Sequence, residues 1–266
     1  MVDIPDIDYA SLDRPEVLAF LFHPRSENEN FSTPGNRGEV MIPVDNNIKI
    51  GAAFHAAGKS SPTILFFHGN GEIVSDYDDI GMLYNKMDIN FFPVDYRGYG
   101  KSSGRPTVTA MMRDSHRIFN FVQNWLVENR YTGPITIMGR SLGSAPALEI
   151  AEHYQNEIFG LVLESGFAHC VPLMNLLGID VAGLGIDEAR VIKNIEKIRN
   201  FKKKILIIHA EFDHIIPFSD GIELFEECSS SKKEMVEIKG ADHNTIFYHG
   251  IEPYMRAIKR FVQNAS

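Results

Sequence analysis

Short runs rich in Val, Ile and Phe recur along the chain, and between them lie longer stretches in which apolar side chains return every three or four positions. The first pattern predicts buried strands and the second amphipathic helices. Strands are expected at Glu39 to Val44, Ile48 to Ala53, Thr63 to Phe67, Asn90 to Val94, Ile135 to Met138, Gly160 to Leu163, Lys204 to His209 and Met235 to Ile238. Helices are expected at Val74 to Met87, Val108 to Val127, Leu142 to Tyr154, Glu188 to Ile198, Ser219 to Cys228 and Ile251 to Val262. Alternation of this kind predicts an α/β fold, a mostly parallel sheet with helices on both faces. The first two strands are separated only by the turn-like Asp45-Asn46-Asn47, which predicts an antiparallel hairpin at one edge. Ser26 to Arg37 reads as a polar surface loop.

Composition narrows the function. A chain of 266 residues with 44% hydrophobic content can bury one large core, so a single domain over 1–266 is expected. The net charge of -9, with basic residues scattered apart from Lys202 to Lys204, offers no stripe to neutralise a phosphate backbone and argues against nucleic acid. Cys170 and Cys228 are too few for a disulfide framework and fit a reducing, cytoplasmic compartment. The acidic N-terminal stretch lacks the basic and apolar regions of a leader peptide, and Val17 to Phe22 is too short to span a bilayer, so no stable membrane insertion is expected. Asn30-Phe31-Ser32 matches a glycosylation acceptor and, without an export signal, reads as coincidence.

Glycine-rich segments after strands are where an α/β chain places its chemistry. Asp95 to Ser102 ends in Gly-Lys-Ser, but a carboxylate stands where a phosphate-cradling loop needs glycine, and Pro106 follows too soon for a helix to start at the lysine. A nucleotide site is therefore not expected. Gly139-Arg140-Ser141-Leu142-Gly143 follows an apolar strand and precedes a helix, the setting of a nucleophile elbow. A serine needs an imidazole to take its proton and a carboxylate to fix that imidazole's tautomer. Asp213 follows the seventh strand and His243 the eighth, in the order nucleophile, acid, base, so they are the expected partners of Ser141. Among rivals, His214 adjoins the acid, His249 falls near the last helix, Glu164 is an alternative carboxylate after the sixth strand, and Asp242 reads as a turn residue. In Phe67-His68-Gly69-Asn70-Gly71, the N–H of Asn70, with that of Leu142, is the expected oxyanion hole, and His68 is read as a loop organiser. No pair of His or Cys has zinc-ligand spacing, so no metal is expected.

These motifs, with Val94 to Ser102, Asp213-His214-Ile215-Ile216-Pro217 and Gly240-Ala241-Asp242-His243-Asn244, resemble in order those of the alpha/beta hydrolase superfamily, in its branch of small serine esterases and acyl-protein thioesterases with a minimal cap. The resemblance covers nearly the whole chain after about Pro24. It implies an eight-stranded sheet, a Ser-His-Asp triad at its carboxyl edge, no cofactor, and carboxylic ester or thioester substrates cleaved through an acyl-enzyme. Gly71-Glu72 departs from the small-then-polar pair of many relatives, which implies a differently shaped entrance near Asn70. A cap-like insertion is expected at about 166–200, where Val171 to Leu177 would suit an acyl chain. Alternatives are an acyltransferase using the same triad, a lipase or depalmitoylase acting on lipid or lipidated protein, and a non-catalytic scaffold. The oligomeric state is not legible.

Overall fold

A computed structural model describes residues 7–27, 37–187 and 191–263. The glycosylation-like Asn30-Phe31-Ser32, most of the Ser26 to Arg37 loop and the start of the helix expected from Glu188 lie outside the described residues. The chain divides into two compact units, 1–135 and 136–266. The described strands form an eight-stranded, mostly parallel sheet.

The first unit opens with a short helix that the hydrophobic pattern did not reveal, α1 (Pro15–Leu21), whose Pro15 fits the first turn and whose Val17 and Leu21 are buried. The expected hairpin is present as β1 (Arg37–Asp45) and β2 (Ile48–His55), antiparallel, with Asn47 at φ 62 in the turn. Burial alternates along β1, with Val40, Ile42 and Val44 inside, as a strand with one solvated face requires. Next come β3 (Thr63–Phe67) and β4 (Asn90–Val94), fully buried and parallel to each other, while β4 runs antiparallel to β2. The helix expected at Val74 to Met87 divides into a 3-10 turn (Val74–Tyr77) and α2 (Asp78–Asn85). In α3 (Val108–Glu128), Thr107 caps the start by accepting from Ala110 N at 3.0 Å, and Asp13 Oδ1 accepts from Val108 N at 2.7 Å.

The second unit holds β5 (Ile135–Arg140), β6 (Gly160–Glu164), β7 (Lys204–Ala210) and β8 (Lys233–Ile238), each parallel to the next. The helices are α4 (Ser144–Tyr154), α5 (Cys170–Leu176), α6 (Asn194–Asn200), α7 (Phe218–Glu227) and α8 (Ile246–Gln263). Strand ends of a parallel set all point one way, so the loops after β5, β6, β7 and β8 share one edge. The final helix begins five residues before its expected start at Ile251 and bends at Gly250, near the internal Pro253. No described helix is long and apolar enough to cross a membrane.

Candidate active site

The turn after β5 is tight. Ser141 sits at φ 52, a left-handed backbone that costs a non-glycine residue about 1–3 kcal/mol. A Cβ on Gly139 would lie 2.2 Å from the Gly143 carbonyl oxygen, so no larger residue fits there. Ser144 Oγ donates to Ser141 O at 2.7 Å and helps hold the bend before α4 starts. Leu142, the next residue in the 3-10 turn, is buried.

Within this unit the structure brings together the three side chains expected to meet. His243 Nδ1–H donates to Asp213 Oδ2 at 2.7 Å, which leaves Nε2 as the acceptor for Ser141 Oγ–H at 3.0 Å. Exposures of 9%, 7% and 5% for Ser141, Asp213 and His243 keep this chain of bonds nearly dry. Asp213 Oδ1 accepts from Ile215 N and Ile216 N at 3.0 and 2.8 Å. Burial alone would raise the Asp213 carboxyl, but the hydrogen bond and charge of His243 and the Ile216 N–H outweigh it and hold it below its ordinary value.

Two further buried groups, both missed from the sequence, brace these loops. His209 Nε2–H donates to Ile216 O at 2.9 Å, and burial lowers the pKa of that imidazole. Arg140 is buried between Glu164 and the His243 carbonyl. A charged residue at the end of an otherwise apolar strand was the available signal, because such a charge needs partners. The competitors separate cleanly. Glu164 binds Arg140 and Tyr254, His214 is exposed, and His249 N donates to Thr245 O in the start of α8. Asp242 is the turn residue expected, accepting from Asn244 N and Thr245 Oγ1 at 2.9 Å each.

Asn70 belongs to the first unit, in the loop after β3. Its Oδ1 accepts from His23 N and Tyr99 OH, and its Nδ2 donates to His23 Nδ1, all at 2.8 Å. Gly71 follows at φ 75, and Glu72 Oε2 accepts from Gly69 N and Tyr77 OH at 2.6 Å each. His68 Nδ1–H donates to Gly69 O at 2.7 Å, consistent with an organiser of this loop. The rejected phosphate loop is filled by its own side chains: Asp95 Oδ1 accepts from Val74 N at 2.9 Å, Ser102 Oγ from Gly51 N at 2.8 Å, and Lys101 pairs with Glu39.

Residues 58–182 match the model of a family described as serine aminopeptidase, S33. The chain is 32% identical over 210 residues to alpha/beta hydrolase domain-containing protein 17B of Homo sapiens, covering 75% of this chain and 66% of that protein. It is 30% identical over 227 residues to protein 17C of Mus musculus, covering 81% and 64%. The chain thus spans just under two thirds of the length of these curated relatives. Among solved structures it is similar to a Pyrococcus furiosus esterase, with a TM-score of 0.72 and 19% identity over 90% of this chain and 97% of that one. It is also similar to Est1E from Butyrivibrio proteoclasticus, solved with ferulic acid bound, with a TM-score of 0.69 and 17% identity over 84% and 97%. At these identities the likeness to solved structures is one of fold. The chain thus has the alpha/beta hydrolase fold and is similar in sequence to proteins of that superfamily.

Proposed function

We propose that the protein is a serine hydrolase that cleaves carboxylic esters or thioesters through Ser141, His243 and Asp213. The observation that carries this reading is the pair of hydrogen bonds of His243, 2.7 Å to Asp213 and 3.0 Å to Ser141, with the tautomer set by the carboxylate. In the first step Nε2 takes the Ser141 proton as Oγ attacks the acyl carbon, and the imidazolium then protonates the departing alcohol or thiol. Water repeats the cycle on the acyl-enzyme. Asp213 stabilises the imidazolium, and its lowered carboxyl suits that work because it stays ionised throughout. The N–H groups of Leu142 and Asn70 are proposed to receive the oxyanion, the second on the strength of its place after the third strand.

The segment that leaves β6 supports an acyl substrate. It departs at Gly166, where an added Cβ would lie 3.1 Å from Ser144 Cβ, so it starts beside the elbow. In α5, Met174 is buried while Leu176 is 56% exposed, an apolar surface suited to a hydrocarbon chain. The two cysteines, buried as free thiols, with burial pushing Cys170 up to about 12, support a cytoplasmic setting.

The test is labelling by a fluorophosphonate probe followed by turnover of p-nitrophenyl esters and thioesters of increasing acyl length. Stoichiometric labelling of the wild type and none of Ser141→Ala are expected. Labelling that persists in Ser141→Ala, or full turnover by it, would end the assignment. Competing alcohol and thiol acceptors in the same assay distinguish transfer from hydrolysis.

A further inference from the structure

Arg140 stands immediately before the proposed nucleophile, at the end of β5, with its side chain 7% exposed. Its Nη1 donates to Glu164 Oε1 at 2.6 Å and its Nη2 donates to the main-chain carbonyl of His243 at 2.8 Å. Glu164 is fully buried, sits opposite Arg140 in the β5–β6 register, and accepts on its other oxygen from Tyr254 OH at 2.6 Å. One guanidinium therefore ties the residue before the serine to the backbone of the imidazole, and α8 locks the carboxylate that aims it.

Stability does not account for such a group. Removing two charges from water costs several kcal/mol per ion, and replacing a buried ion pair by packed apolar residues is often neutral or stabilising. What the arrangement does supply is position. The loop bearing His243 runs from Gly240, at φ 73, to the first turn of α8; Phe212 N and Glu211 Oε2 hold its start at Ala241 O and Gly240 N, the Asp242 and Thr245 turn holds its end, and Arg140 Nη2 holds the carbonyl of His243 itself. A planar fork that donates in two fixed directions is suited to registering that loop against the elbow, which a flexible ammonium cannot do.

We propose that Arg140 is a positioning residue that sets the distance between His243 Nε2 and Ser141 Oγ, with Glu164 orienting the guanidinium and Tyr254 fixing Glu164. This rests on the Ser141 and His243 reading above. Two variants test it. Arg140→Lys keeps a positive charge beside Glu164 but cannot reach both acceptors with one geometry. The triple variant Arg140→Met, Glu164→Leu, Tyr254→Phe removes the whole polar network at similar volume.

For each, the fluorophosphonate labelling rate, kcat and KM with an ester substrate, and Tm are measured, with rates normalised to the folded fraction. A loss of about 10- to 100-fold in labelling rate and kcat is expected in both variants, with KM within about threefold. Tm of the triple variant should match or exceed that of the wild type. A merely structural pair would lower Tm and leave kcat of the folded fraction alone. Wild-type labelling rates in both variants would overturn this inference and leave the serine hydrolase reading intact. An unlabelled wild type would overturn both.

Discussion

Among the described residues, two histidine–aspartate pairs have their histidine in a loop after a strand, one in each unit, and they differ in what the second ring nitrogen faces. In the second unit, the Nδ1–H of His243 goes to Asp213, so its other nitrogen is free to accept from Ser141. In the first, the Nδ1–H of His68 goes to the Gly69 carbonyl, and Nε2 lies 3.3 Å from Asp95 Oδ1 without a hydrogen bond among the described residues. His68 is fully buried, its own carbonyl is held by Tyr96 OH at 2.6 Å, and Asp95 is occupied by Val74 N. The same two residue types give the proposed proton shuttle where one ring nitrogen faces a hydroxyl, and a loop clamp where both the ring and the acid serve backbone. Proximity of His to Asp is therefore not what marks a site. The direction of the second nitrogen is.

The sharpest way to break this contrast is to delete both imidazoles separately. His243→Ala should lower kcat/KM by about 10⁴-fold or more with the fold intact, because the base is gone while the rest of the site remains. His68→Asn should instead lower stability by about 1–3 kcal/mol, through buried groups left unpaired, and change kcat by less than about tenfold. Urea melts beside steady-state kinetics separate the two effects. A His68→Asn enzyme as inactive as His243→Ala but equally stable would show that the first pair also takes part in the chemistry.

The carboxylates sharpen it next. Asp213→Asn keeps the volume but offers an amide to Nδ1, favouring the wrong tautomer, and should cost about 10³- to 10⁴-fold in kcat. Asp95→Asn can still accept from Val74 N through its amide oxygen and should leave kcat within a few fold, losing stability instead. Kinetics of the two variants on one ester decide it. Equal losses of kcat would erase the distinction drawn here.

A milder test addresses the loop that His68 organises. Asn70→Ala retains the proposed N–H donor but removes the three side-chain bonds to His23 and Tyr99 that hold it. A loss of about tenfold in kcat with little change in KM is expected, smaller than the 10²- to 10³-fold for removing an oxyanion donor outright. Unchanged kcat would mean that the loop is placed without this network.

The contrast also explains what the sequence made legible. The eight strands are legible as local apolar runs: β3, β4 and β6, buried on both faces, leave an unbroken signal that needs no partner to recognise, while β1 shows the alternation of a half-solvated strand. Ser141, Asp213 and His243 are expected to meet because parallel strands deliver their ends to one edge, and their side chains do form one chain of hydrogen bonds. Arg140 with Glu164, and His209 with Ile216, were not found, because each depends on register between neighbouring strands or on how a loop folds back. Helix ends slipped for local reasons. The helix expected from Ile251 begins at Ile246, because a bend at Gly250 lets it continue past that glycine. The stretch from Val74 read as one helix because its apolar spacing runs across the junction between a 3-10 turn and α2.

The smallest expected effect contrasts Asp213 with a second acid of the same unit. Asp213 is held below its ordinary value of 3.8, so its contribution to stability is fully present above that pH and is lost as pH falls through the lower folded value. Asp220, in α7, is shifted the other way: burial raises its carboxyl above 3.8, and the bond its Oδ1 accepts from Ala168 N at 2.8 Å offsets this only in part. A folded state that binds the proton more tightly than the unfolded chain is penalised once pH climbs past 3.8, and the penalty is complete above the raised value. Asp220→Asn keeps an oxygen to accept from Ala168 N and removes the charge. Its stability should therefore equal or exceed that of the wild type at pH 7 by less than about 1 kcal/mol, with the difference vanishing as pH falls below 3.8. Denaturant melts of the two proteins across that range measure it. A variant less stable than the wild type at pH 7 would mean that the ionised carboxylate, and not only its oxygen, is what holds Ala168.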